Sequence, residues 1–202
     1  MNLQLTKLLT AGLLTLVAVS TPALSQDAGL YAGASFGKSD IDSSIAIPDL
    51  ITSGTVDGKD TGFKIYGGLQ FNQHFGLEVA YVDLGKATYS GRFFGFSVTG
   101  GKVDVSGFNF SAVGTYPLNP SFALFGKLGL FGWVTKASDV TGGLPFSGKD
   151  DGADVSFGLG FSYNFTKNVS ARVEWERFKA GGDVVTGSAD IDLLSGGIVF
   201  KF

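Results

Sequence analysis

The sequence predicts an all-β protein, an eight-stranded antiparallel up-and-down transmembrane β-barrel. Three observations predict it. Apolar and polar residues alternate with a period of two in about eight segments, the smallest count for an outer-membrane barrel. The connections between these segments alternate short and long. The apolar face is rich in aromatics, whereas the other face is mostly Gly, Ser, Ala and Asn.

Ahead of the strands, residues 1–25 read as a cleaved export signal. Lys7 supplies the positive start, Leu8 to Val19 the apolar run, and Ala23 and Ser25 the small residues of a cleavage site. The run is shorter than the roughly 20 residues of a spanning helix. No later segment can cross as a helix, so a mature chain of residues 26–202 that lives in a membrane must close its own backbone hydrogen bonds as a barrel.

The first strand, 28–38, sets Leu30, Ala32, Ala34 and Phe36 on one face. The second, 62–72, reads GFKIYGGLQFN: Phe63, Ile65, Leu69 and Phe71 oppose Lys64, Tyr66 and Gln70. The third, 75–84, sets Phe75, Leu77, Val79 and Tyr81 against Glu78. The fourth, 103–116, sets Phe108, Phe110, Ala112 and Tyr116 against Asn109, Ser111, Val113 and Thr115. The fifth, 122–135, sets Phe122, Leu124, Leu128, Leu130 and Val134 against Lys127, but its second face also holds Phe125, Phe131 and Trp133. The sixth, 154–165, sets Val155, Phe157, Leu159, Phe161, Tyr163 and Phe165 against Ser and Gly. The seventh, 169–178, sets Val169, Ala171, Val173 and Trp175 against Arg172, Glu174 and Glu176. The eighth, 192–202, sets Leu194, Ile198, Phe200 and Phe202 against Ser195, Val199 and Lys201.

The apolar face is read as lipid-facing. A soluble exterior usually carries about 25–35% charged residues, and only 16% of this chain is charged. Phe71, Phe75, Tyr116, Phe122, Phe165 and Phe202 gather beside the short turns, where a membrane-interface girdle belongs. Turns near 72–74, 117–121 and 166–168 are short; connections at 39–60, 85–102, 136–152 and 179–191 are long. Short turns mark the periplasmic side, which puts both termini there.

GFKIYGGLQFNQHFGLEVAYVDLGKA (62–87), GTYPLNPSFALFGKLGLFGW (114–133) and NVSARVEWERF (168–178) resemble the OmpA-like transmembrane domain family. The terminal GGIVFKF, with Ile198, Phe200 and Phe202, resembles the C-terminal signal by which such barrels are recognised for assembly. The resemblance covers roughly 28–202 and implies a multi-pass barrel in the outer membrane of a Gram-negative bacterium. Many members continue into a periplasmic peptidoglycan-binding domain; with the chain ending at Phe202, that tether is expected to be missing. Members carry lumenal ion pairs proposed to act as a gate. Glu78, Lys127, Arg172 and Glu174 match that pattern, while Val113 and Ser162 replace a second lysine and a second glutamate, which removes alternative partners.

The inward charges Lys64, Glu78, Lys127, Arg172, Glu174 and Glu176 balance in sign, and strand counting puts most of them near mid-depth. They are expected to be structural ion pairs, or else the lining of a narrow ion path. The function expected is an OmpA-like structural or surface-interaction role; the alternative is a small low-conductance porin. No enzyme is expected: the single histidine, His74, sits in a short turn, and Asp104, Asp151 and Asp154 near the outer rim read as solvated charges. No cofactor or metal site is expected, and the absence of cysteine rules out thiolate ligands. The net charge of −3 gives no basic surface for nucleic acid. Expected partners are outer-membrane lipid and lipopolysaccharide, the barrel-assembly machinery, and an unidentified ligand of the outer loops. Those loops hold apolar residues: Ile41, Ile45, Ile47, Leu50 and Ile51 in one, Phe93, Phe94 and Phe96 in another.

Overall fold

A computed structural model describes residues 28–44, 51–93, 96–138, 147–181 and 188–202. The export segment 1–25 and the loop residues Ile45, Ile47, Leu50 and Phe94 lie outside them. Nine strand segments run β1 (Gly29–Ser44), β2 (Ile51–Asp57), β3 (Lys59–Gln70), β4 (Phe75–Phe93), β5 (Phe96–Pro117), β6 (Phe122–Ser138), β7 (Ser147–Asn164), β8 (Val169–Gly181) and β9 (Ser188–Lys201). β2 and β3 both pair with β4 and form one barrel strand interrupted at Gly58. The sheet is antiparallel throughout, β1 pairs with β9, and the β4–β5 ladder closes it into eight strands.

The two faces follow the alternation of the sequence. On β3, Phe63 and Ile65 are 41% and 59% exposed, whereas Lys64 and Tyr66 between them are 0% and 3% exposed. A face that is both greasy and open is the lipid face of a barrel, and a buried lysine on its other side points into the lumen. The same division holds on β4 to β7 and on β9. Phe125, Phe131 and Trp133 of β6 point inward, beside Lys127.

Three short connections are closed by one device. Asn72 Oδ1 accepts from the amides of His74 and Phe75 at 2.8 and 3.0 Å. Asn119 Oδ1 accepts from Ser121 and Phe122 at 2.9 and 3.0 Å. Thr166 Oγ1 accepts from Asn168 and Val169 at 3.2 and 3.0 Å. Short polar side chains mimic a backbone turn in this way.

At the opposite end the strands run longer than the sequence reading. β4 reaches Phe93 rather than 84, β5 starts at Phe96 rather than 103, and β7 at Ser147 rather than 154. Most of what reads as long loops is therefore strand, and Ile41 is a buried residue of β1. The apolar alternation of the sequence gives out at these ends while the backbone ladder continues. The ladders there are not complete. β7–β8 pairing ends at Ser156 and Phe178, and β1–β3 pairing at Asp40 and Lys59. Beyond those points the described strands form two groups, β8–β9–β1 and β2–β4–β5–β6–β7.

Candidate functional site

Six inward charges meet in the middle of the lumen. Lys64 Nζ contacts both Glu174 Oε1 and Glu176 Oε2. Lys127 Nζ lies 2.6 Å from Glu78 Oε1, 2.7 Å from Glu174 Oε2 and 3.7 Å from Glu176 Oε1. Arg172 Nη1 donates to Glu78 Oε2 at 2.7 Å, and the Tyr31 hydroxyl donates to the same oxygen at 3.0 Å. Three cations and three carboxylates thus form one network. The structure brings together every charged residue that the sequence placed in the lumen cluster.

The cluster is packed by aromatics. The Tyr66 ring lies 5.2 Å from Lys64 Nζ, 5.5 Å from Lys127 Nζ and 5.1 Å from the Arg172 guanidinium. Phe125 lies 4.6 Å from the same guanidinium. Cations over ring faces gain electrostatic attraction, most where water is excluded. Glycine makes room for these rings. A Cβ at Gly68 would stand 2.2 Å from Tyr31 Cζ, and one at Gly160 2.2 Å from Phe125 Cζ. Tyr31, Tyr66 and Phe125 were not among the expected site residues, although each shares the inward parity of Lys64, Lys127 or the small residues beside them.

The part of the lumen nearer the long connections, its outer part, is apolar. Val82, Leu84, Phe131, Phe178, Ile191 and Leu193 are all 0% exposed and form one cluster. The Phe131 and Phe178 rings lie 4.8 Å apart. Trp133 completes the layer and donates its indole N–H to Asp154 Oδ2 at 2.8 Å. Between this layer and the charges, Ser156 Oγ donates to Asn109 Oδ1 at 2.7 Å, and Asn109 Nδ2 donates to Ser111 Oγ at 3.0 Å. The break in alternation that the sequence shows at Phe131 and Trp133 has its reason here: this stretch of the lumen face is apolar.

On the outside, Phe71, Phe75, Tyr116, Phe165 and Phe202 are exposed beside the short turns. A second aromatic band, missed in the sequence, rings the other edge of the apolar belt. Phe63 lies 6.1 Å from Tyr81, Tyr81 5.4 Å from Phe108, and Phe157 5.8 Å from Trp175. Phe63 and Phe71 are separated by about 26 Å of strand, the span of a tilted membrane crossing. Just above, Arg177 makes paired contacts to Asp192 at 2.6 Å each and stacks 5.6 Å from Trp175. Ile198, Phe200 and Phe202 point outward and are exposed. His74 sits in its turn with Nδ1 3.2 Å from the Thr115 carbonyl, and Asp104 faces Lys86 at 3.5 Å.

A family model described as the OmpA-like transmembrane domain matches residues 25–202. The chain belongs to that family. It is an OmpA-like outer-membrane β-barrel. Outer membrane protein A of Shigella flexneri is 29% identical over 184 residues, covering 89% of this chain and 50% of the relative. Outer membrane protein A of Yersinia pseudotuberculosis is 32% identical over 145 residues, covering 70% of this chain and 40% of the relative. The chain thus spans half or less of these relatives. Among solved structures, Neisserial surface protein A matches with a TM-score of 0.60 at 19% identity, covering 88% of this chain and 100% of that one. Ail of Yersinia pestis, solved with the heparin analogue sucrose octasulfate, matches at 0.53 and 15% identity, covering 86% and 99%. These likenesses establish the fold.

The OmpA-like ion-pair pattern is enlarged here. Val113 stands directly across from Lys127 and Ser162 across from Arg172, as the substitutions suggest. Lys64 joins the cluster from β3 and Glu176 from β8, however, so that Lys127 has three carboxylates within 4 Å. The expectation that alternative partners are lost holds for the family positions alone.

Proposed function

We propose that this OmpA-like barrel is a plugged scaffold with a structural or surface-interaction role, its outer hairpins serving as the recognition surface. One observation carries the reading: six apolar side chains at zero exposure fill the lumen above a fully paired charge cluster. Small barrels are generally filled by their own side chains, and ions do not cross a dry apolar layer cheaply. The alternative, a low-conductance porin using the lumen charges, needs that layer to open. The six charged residues are accordingly assigned a structural role.

In this reading residues 1–25 are a cleaved signal, and both termini lie in the periplasm with the Asn- and Thr-capped turns. Ile198, Phe200 and Phe202 present an apolar edge suited to the barrel-assembly machinery. Lipopolysaccharide would meet the barrel at the outer aromatic band, near Arg177. The role calls for no catalytic group, cofactor or nucleic acid. The test is ion conductance of residues 26–202 refolded into a planar bilayer. A barrel shown to be folded is expected to be silent; discrete, reproducible steps would overturn the proposal in favour of the porin.

A further inference from the structure

Below the charge cluster the lumen opens into a vestibule of about 660 Å³ at the mouth that carries the short turns. Its lining includes three cations, Lys167, Arg172 and Lys201, and no aspartate or glutamate. Arg172 is itself one of the six charges of the cluster above, which is neutral in sum, so the excess at the vestibule is that of Lys167 and Lys201. Arg172 is nine-tenths buried. It commits Nη1 to Glu78, but its buried Nε has no hydrogen-bond partner. Lys201 Nζ is steadied by a neutral group, Asn164 Oδ1, at 2.9 Å. Ser162, Ser170 and Asn168 add neutral hydrogen-bonding groups to the wall.

We propose that this vestibule binds a small oxyanion, a phosphate or carboxylate group. Like charges lining a concave, low-dielectric wall focus their field and raise the local concentration of the opposite charge. Planar and tetrahedral oxyanions suit a guanidinium and an ammonium converging with neutral donors. The apolar layer above closes the inner end, so the ligand enters and leaves by one mouth. This makes the lower lumen a blind binding pocket, which is compatible with a barrel that does not conduct. The group bound can belong to a free solute or to the headgroup of an anionic lipid at the mouth.

The test is NMR titration of the refolded barrel in phosphatidylcholine nanodiscs with inorganic phosphate at constant ionic strength. Saturable shifts are expected at the amides of Asn164, Ser170 and Lys201. The dissociation constant is expected to rise about tenfold in Lys201→Gln, the loss of one close charge interaction. Lys167→Gln, in an exposed turn, gives a smaller rise and a second reading should the first variant fold poorly. Shifts without saturation at millimolar phosphate, or unchanged titrations in both folded variants, would overturn the site. Phosphatidylglycerol nanodiscs without phosphate separate the sources. The same shifts there assign the site to a headgroup, and their absence, with phosphate binding intact, to a free solute.

Discussion

The middle and the outer part of the lumen are equally dry, yet they are held by opposite physics. Lys64 and Phe131 are both 0% exposed. Burying Phe131 is favourable in itself, at about 25 cal/mol per Å² of apolar surface removed from water. Burying Lys64 costs several kcal/mol, recovered only when its carboxylate partners are in place and well aligned. The apolar layer should therefore lose stability in proportion to the volume removed. The charged layer should fail as a unit, because each member is needed to neutralise the others.

The sharpest way to break this contrast is Glu78→Ala. It strips Lys127, Arg172 and Tyr31 of a shared acceptor, and should cost about 3–5 kcal/mol in denaturant unfolding of the refolded barrel. An unchanged midpoint would mean the cluster is not a stabilising network. Adding Lys127→Met should cost less than the sum of the single changes, with a coupling of about 0.5–3 kcal/mol. Phe131→Ala should cost about 3 kcal/mol. Its effect should add to that of changes in the charged layer, since it leaves the ion pairs alone. Phe131→Ala together with Phe178→Ala removes the facing rings, and conductance steps absent from the parent barrel are then expected in a planar bilayer. Continued silence from the folded double variant would show that the seal lies elsewhere.

The difference between the layers also decides what the sequence reveals. The charged layer is legible because inward charges are few and must find one another: Lys64 from β3, Glu78 from β4, Lys127 from β6 and three from β8 leave little choice. The lipid face is legible because lipid and lumen alternate with each residue. The apolar layer is hidden because there both parities are apolar. On β6, Leu128 and Leu130 face out while Phe131 and Trp133 face in; on β4, Tyr81 faces out while Val82 and Leu84 face in. The failed alternation at Phe131 and Trp133 is itself the sign of a greasy lumen, a meaning visible only once the barrel closes. The outer strand extensions are hidden for another reason: residues 86–93 carry no apolar period for a reader to find, and only the backbone ladder shows them as strand.

The boundary between membrane barrel and outer hairpin offers the smaller tests. The β4–β5 register shifts between Asp83 and Lys86, and Gly85 within it has φ +78°. A Cβ there would stand 2.7 Å from the Asp60 carboxylate. Gly85→Ala should cost about 1–2 kcal/mol through the left-handed backbone alone, loosening the hairpin while leaving the charge cluster intact. Hydrogen exchange that speeds equally in both regions would contradict this separation.

Asp60 gives the finest probe of that boundary. Its Oδ1 accepts from the Thr61 amide and its Oδ2 from the Lys86 amide, each at 2.7 Å. These two amides, Thr61's first, hold the carboxyl below its ordinary range. A depressed pKa means that the stabilising contribution is present above the unfolded value of about 3.9 and is lost as pH falls through the folded one. Protection factors at Thr61 and Lys86 should therefore drop below about pH 4, relative to those in the β3–β4 ladder near the membrane centre. Asp60→Asn should show the reduced protection already at neutral pH, because an amide offers one acceptor oxygen where two are used. If protection at the two amides stays level from neutral to acid pH, the carboxylate is not what pins the hairpin to the barrel, and the bulge at Gly85 must do so alone.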